Sequence, residues 1–220
     1  MKTLGFSPYA YPGSIHPFDK VFTESVSLAD APVEGCSAII LWGGTDICPS
    51  FYGQKAIPQT EYSDDQRDTA EWKYIIRAVA EGIPIIGVCR GAQMLCAFAG
   101  GSLYQHVTGH HSNHAIATKE GMVYQQVAAD HHQMMNIDGL DEETANLLAW
   151  SQYRQSTFYQ NDKGTFDTTV FSEEPEVVWF PKIRGLAIQP HPEWMSAEHK
   201  FNQYVFSLIN QFVLKEENHV

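Results

Sequence analysis

Two short, uniformly apolar runs, "SAIILW" (37–42) and "IPIIGVC" (83–89), bracket a stretch with helical periodicity, and few folds accommodate that alternation. A brief apolar run between turn residues reads as a strand buried on both faces. In the intervening "SDDQRDTAEWKYIIRAVAEG" (63–82), Ser63 and Gln66 stand in capping-box spacing. Trp72, Ile75, Ile76 and Val79 then recur at i, i+3, i+4 and i+7 before Gly82 stops the run. Strand, amphipathic helix and strand in that order predict a βαβ unit and hence a parallel sheet.

The rest of the chain continues in the same manner. "RGAQMLCAFAGG" reads as a short helix closed by Gly100 and Gly101. "HAIAT", "MVYQQVA", "NLLAW", "FDTTVF" and "EVVWF" read as strands with an antiparallel look, and "RGLAIQP" (184–190) as one more buried strand. A last helix over about 196–216 places Phe201, Val205, Leu208, Ile209 and Phe212 on one face. The pattern is α/β throughout. With 220 residues, no repeat and no linker-like tract, it is expected to form one domain over 1–220.

Charge narrows the partners. A net charge of −12 without a Lys/Arg cluster argues against nucleic acid and against anionic membrane surfaces. The N-terminus "MKTLGFSPYAYPG" lacks the apolar core of a signal peptide and no segment is apolar enough to span a bilayer, so the chain reads as cytoplasmic. Its four cysteines (Cys36, Cys48, Cys89 and Cys96) show neither CxxC nor zinc-ribbon spacing and are expected to be thiols.

One thiol stands apart. Gly87-Val88-Cys89-Arg90-Gly91 has the G-x-nucleophile-x-G form of an elbow, placed after a buried strand and before a helix. Bulky neighbours two positions from the nucleophile would clash as the chain doubles back. The following helix points free N–H groups and its positive dipole end at the sulfur, which favours thiolate and prepares an oxyanion site. A thiol nucleophile needs a base and an orienter. Most of the ten histidines cluster between 106 and 132, but His191 lies just past a predicted parallel strand, where open α/β sheets gather ligands. Glu193, two residues on, can accept its ring N–H, so Cys89, His191 and Glu193 compose a candidate triad.

Taken together, the elbow cysteine, the later "HPE" and an upstream Gly-Gly loop resemble the class I glutamine amidotransferase superfamily, and within it the γ-glutamyl-GABA hydrolase-like branch. "LWGGTDICPSFYG" (41–53), "RDTAEW" (67–72), "GVCRGAQML", "GGSLYQ", "DHHQ" (130–133) and "IQPHPEW" (188–194) carry the likeness in order along nearly the whole chain. It implies a flavodoxin-like three-layer α/β/α fold with a mostly parallel central sheet and a small antiparallel elaboration. It also implies that Gly44 and Arg90 give backbone N–H groups to an oxyanion hole, that Gln93 helps hold a glutamate moiety, and that His132 and Gln133 line the site. The implied reaction is hydrolysis of a γ-glutamyl amide through a thioester on Cys89, with no cofactor. The alternative is a glutaminase subunit feeding ammonia to a separate synthase; a catalytically dead binding module is a further rival. Pro190, Cys96, His106, Ala128 and Ala129 depart from residues common in that branch. The leaving amine (GABA, a polyamine, an amino acid, a peptide or further glutamates) stays open.

Two side features of the sequence bear on this reading. The Arg90 side chain either meets a substrate carboxylate or, as favoured, pairs with carboxylates of the 64–71 stretch. His106, His110, His111 and His114 include i, i+4 pairs, but Gly109 and nearby Ser and Asn indicate a loop, and no carboxylate completes the set, so no metal is expected. The expected partner is a small γ-glutamyl molecule, with a synthase or ligase partner, or a homodimer through the exposed face of helix 62–82, as further readings.

Overall fold

A computed structural model describes residues 1–9, 12–61, 63–167 and 173–215. Its strands are β1 (Thr3–Phe6), β2 (Glu24–Ser27), β3 (Ala38–Leu41), β4 (Ile85–Val88), β5 (Ser102–Tyr104), β6 (His106–Val107) and β7 (His114–Thr118). They continue with β8 (Val123–Val127), β9 (Met134–Asn136), β10 (Asn146–Ser151), β11 (Phe158–Asn161), β12 (Gly164–Asp167), β13 (Pro175–Phe180) and β14 (Gly185–Ile188). The helices are α1 (Asp65–Ala80), α2 (Arg90–Phe98) and α3 (Lys200–Leu208).

The main sheet has nine strands in the order β2-β1-β3-β4-β14-β13-β10-β7-β8. Its first five pair in parallel, and the antiparallel pairings of β13, β10, β7 and β8 extend one edge. Only β13 and β7 therefore run against the common direction. The predicted βαβ unit is β3-α1-β4, with Ile39 opposite Ile85 and Ile40 opposite Ile86. Strand alternation sends Ala38 and Ile40 into one core with Phe201, Val205 and Ile209, while Ile39 and Leu41 enter a second core with Ile75, Ala78 and Leu95. Helices thus cover both faces, which gives the three-layer α/β/α arrangement. Because α2 lies between this sheet and the β5-β9 pair, every residue from Arg90 to Ala97 is buried.

Several details depart from the sequence reading. Asp64, not Ser63, caps α1, accepting from the Gln66 and Arg67 amides at 3.0 and 3.1 Å. The buried face of α1 runs through Arg67, Asp68, Glu71, Ile75 and Ala78, and Ile76 is half exposed. Of the apolar residues read from the period, Ile75 is buried and Trp72 and Val79 pack against the same core, while charges occupy the first half of the buried face. The last helix starts only after His199, whose ring accepts from the Phe201 amide, and it ends in a π-helical turn over Ile209–Val213. Strands β1 and β2 carry too few apolar residues to stand out in the sequence. The predicted strand "FDTTVF" begins within β12, and its remainder lies outside the described residues. Among the described residues no helix is long and apolar enough to cross a membrane.

Candidate active site

Cys89 joins the end of β4 to the start of α2 at φ 50°, ψ −106°, a left-handed backbone that side-chain-bearing residues rarely adopt. The flanking glycines are there for space. A Cβ on Gly87 would strike the Gly91 carbonyl, and one on Gly91 would strike the Leu41 carbonyl of β3. The thiol is held at the end of β4, between its two parallel neighbours β3 and β14, on the wall of a cavity of about 280 Å³.

His191 follows β14, the strand next to β4, so sheet order brings it to the elbow across a hundred residues of sequence. A Cβ on Gly43 would lie 3.1 Å from His191 Cε1 and 3.5 Å from Cys89 Cβ, which places both side chains against that glycine. Nδ1 of His191 bonds Glu193 Oε1 at 2.7 Å, and Nε2 makes no hydrogen bond among the described residues, which leaves it available to the sulfur; the thiol itself lies 4.0 Å from the Asp130 carbonyl. The Trp194 ring stacks flat on the imidazole at 3.7 Å. Burial works against charging His191, but the Cys89 sulfur and the Glu193 carboxylate outweigh it and push its pKa up to about 10.

Gly44 lies at φ 151°, and a Cβ there would meet the Arg67 guanidinium. Arg67 holds this loop from behind, donating from Nη2 to the carbonyls of Trp42 at 2.8 Å and Gly43 at 3.0 Å. Its Nε reaches Glu71 Oε1 at 3.1 Å, and the same oxygen accepts from Ser7 Oγ at 2.7 Å. The Arg90 guanidinium pairs with Asp68 and Glu71, as the sequence favours, so the side chain serves the structure. Asp68 Oδ2 also accepts the Cys48 amide at 2.9 Å, tying down the segment after the Gly-Gly loop. Two buried guanidinium groups and two buried carboxylates thus brace both proposed oxyanion donors. The pairing of Arg90 with carboxylates of the 64–71 stretch is the one expected from sequence; the hold of Arg67 on the Gly-Gly loop is not.

Gly44, Gln93, His132 and Gln133 line the Cys89 cavity together. Gln93 Nε2 donates to the Gln133 carbonyl at 3.2 Å, which joins α2 to the 130–133 segment. His132 Nε2 bonds Asp46 Oδ1 at 2.9 Å, and this raises the His132 pKa against the opposing effect of burial. His191 and Glu193 line a smaller cavity of about 200 Å³ on the other side of Gly43 and Gly44. A shallower space of about 500 Å³ lies along α1 at Thr69, Ala70, Lys73 and Tyr74, remote from any of these groups.

The histidine tract divides. His111 pairs with Asp130 at an exposed position, and His106 approaches His132 at 3.5 Å between Nδ1 atoms. His110 and His114 turn inward and meet Glu174 and Glu176 at the start of β13. A carboxylate therefore does complete the set that local sequence leaves open, from sixty residues downstream. Burial opposes charging His110, yet the two carboxylates raise its pKa to about 9.

Fold and elbow together define a class I glutamine amidotransferase-like protein. More closely, the chain belongs to the peptidase C26 family, whose model matches residues 21–150. Among curated relatives, the glutamine amidotransferase-like protein YvdE of Lactococcus lactis is 27% identical over 176 residues, 77% of this chain and 71% of that protein. The γ-glutamyl-γ-aminobutyrate hydrolase of Escherichia coli O157:H7 is 26% identical over 172 residues, covering 74% and 65%. The chain spans less than half the length of two other relatives, candidate glutamine amidotransferases of Mycobacterium tuberculosis and Schizosaccharomyces pombe, matching 30% and 45% of them. Among solved structures, a glutamine amidotransferase of Thermotoga maritima superposes with a TM-score of 0.57 at 15% identity, over 97% of this chain and 88% of that one. The glutaminase domain of Trypanosoma brucei CTPS gives 0.53 at 13% identity, over 99% and 98%. At those identities the superpositions establish the fold.

Proposed function

We propose that the protein is a cysteine hydrolase that cleaves γ-glutamyl amide bonds, with Cys89 as nucleophile, His191 as acid and base, and Glu193 as its orienter. The observation that carries this reading is the left-handed cysteine with the Glu193-bonded imidazole packed on the same glycine. Family membership supports a hydrolase of the glutamine amide type.

In this mechanism the Cys89 sulfur attacks the side-chain carbonyl of the glutamyl group, and the Gly44 and Arg90 amides hold the developing oxyanion. His191 gives its proton to the departing amine as the C–N bond breaks, leaving a γ-glutamyl thioester. The neutral imidazole then takes a proton from water, whose oxygen attacks the thioester; glutamate leaves and the thiol–imidazole pair is restored. Gln93, His132 and Gln133 hold the glutamate portion. A screen of glutamine, γ-glutamyl amines and γ-glutamyl peptides, read as glutamate release, tests the assignment. The native chain should release glutamate from at least one of them and Cys89→Ala from none; release by that variant refutes the role of the thiol.

A further inference from the structure

We propose that His110, His114 and Glu176 form a site for a divalent transition-metal ion, with zinc as the best match, behind the wall of the catalytic cavity. Nothing in the hydrolytic reading uses these residues. One ligand atom from each lies within 4.8 Å of the others, and all three side chains are buried.

Three features separate this cluster from an ordinary buried ion pair. First, among the described residues Oε2 of Glu176 has no hydrogen-bond partner, and both ring nitrogens of His110 stand 3.3 and 3.4 Å from carboxylate oxygens without reaching hydrogen-bond geometry. Buried polar atoms in native proteins are seldom left so, and several in one place point to an ion or an ordered polar ligand. Second, His110 Nδ1 stands 3.4 Å from a Glu176 oxygen. That is long for a charged hydrogen bond, but two ligands about 2.1 Å from one tetrahedral ion stand about 3.4 Å apart.

Third, the outer partners are those that metal-binding histidines use. His114 Nδ1 lies 3.0 Å from the Ser112 carbonyl and keeps its proton there, so an ion would replace only the proton that Nε2 shares with Glu176 Oε1 at 2.8 Å. His110 Nε2 faces Glu174 at 3.3 Å, freeing Nδ1 in the same way. Glu174 is itself fixed by the Gln155 and Ser156 amides, each at 2.8 Å, and by the Tyr159 hydroxyl at 2.9 Å. Glu176 accepts from Ser151 Oγ at 2.8 Å. Once an ion displaces the protons that the imidazoles share with Glu174 and Glu176, the two buried carboxylates carry two negative charges, which one divalent cation cancels. Nitrogen and oxygen donors in a three-residue set suit zinc. The adjacent His131, whose ring lies 4.5 Å from that of His110 and whose Nε2 has no partner, also lines the cavity. The ion would therefore brace the 130–133 wall against β13, a positioning role outside the chemistry.

The test uses the full chain, stripped with a chelator, reloaded with zinc or cobalt(II) and desalted. We expect one ion retained per chain, a higher melting temperature on loading, and the strong visible bands of low-coordinate cobalt. Glu176→Gln and His110→Asn should each lower affinity at least about tenfold, and Glu174→Gln, an outer partner, by about 10–100-fold. A second three-donor group, Asp46, Glu61 and His132, lies at the catalytic cavity. If retained metal is lost in Glu61→Gln and kept in the Glu176 and His110 variants, the proposal is overturned. If the native chain retains no ion, it is overturned whatever the variants do; should they fail to fold, the native stoichiometry and cobalt spectrum decide.

Discussion

Glu71→Gln is the perturbation that most clearly separates a bracing network from incidental surface pairing. Glu71 is fully buried and accepts from Ser7, Arg67 and Arg90, while both guanidinium groups are themselves buried. Neutralising it leaves two buried cations facing Asp68 alone. Removing one partner of a buried pair costs about 3–5 kcal/mol, because the remaining charge cannot be solvated. For a chain of this size each kcal/mol lowers the melting temperature by about 2–4 °C, so a fall of about 6–20 °C is expected. The assay is thermal unfolding followed by circular dichroism, beside Glu34→Gln, which breaks the exposed Arg77–Glu34 pair and should leave the transition nearly unmoved. Arg67 also loses its anchor and with it its grip on the Trp42 and Gly43 carbonyls, so turnover should fall below the temperature of unfolding. A Glu71 variant that melts with the Glu34 control would refute the reasoning.

Two further outcomes follow. Glu193→Gln removes the carboxylate that helps hold the His191 pKa at about 10, so the alkaline limb of kcat/KM should move to lower pH. Because that pKa is raised, the stability it brings is fully present below about 6.5, the unfolded imidazole's value, and is lost as pH climbs to about 10. Urea midpoints of the native chain should therefore converge on those of the variant across that window; parallel curves would contradict the assignment. Asp64→Ala removes the cap of α1 and should cost about 1 kcal/mol in urea unfolding, whereas Ser63→Ala should be near neutral.

What could be read from the sequence was local or repeated. The βαβ unit showed because β3 and β4 are buried on both faces, and the elbow showed because its glycines answer to backbone collisions. "HPE" was legible because base and orienter are two residues apart. The period of α1 gives Trp72, Ile75 and Val79 against the core but not the buried Arg67, Asp68 and Glu71, which are held by Arg90 and the Gly-Gly loop; of those links only the one to Arg90 is legible in the sequence. Glu174 and Glu176 escaped notice for a like reason. Their imidazole partners lie sixty residues upstream, and only the pairing of β10 with both β7 and β13 brings them near. Where two residues could cap one helix, spacing alone did not choose Asp64 over Ser63.

The most direct measurement of the central claim is covalent trapping. A glutamine-analogue electrophile such as diazo-oxo-norleucine is incubated with the full chain, and adducts are mapped by peptide mass. The account predicts one adduct, on Cys89, abolished by Cys89→Ala and strongly slowed by His191→Ala. An unmodified Cys89, or equal labelling of the more exposed Cys48, would contradict it.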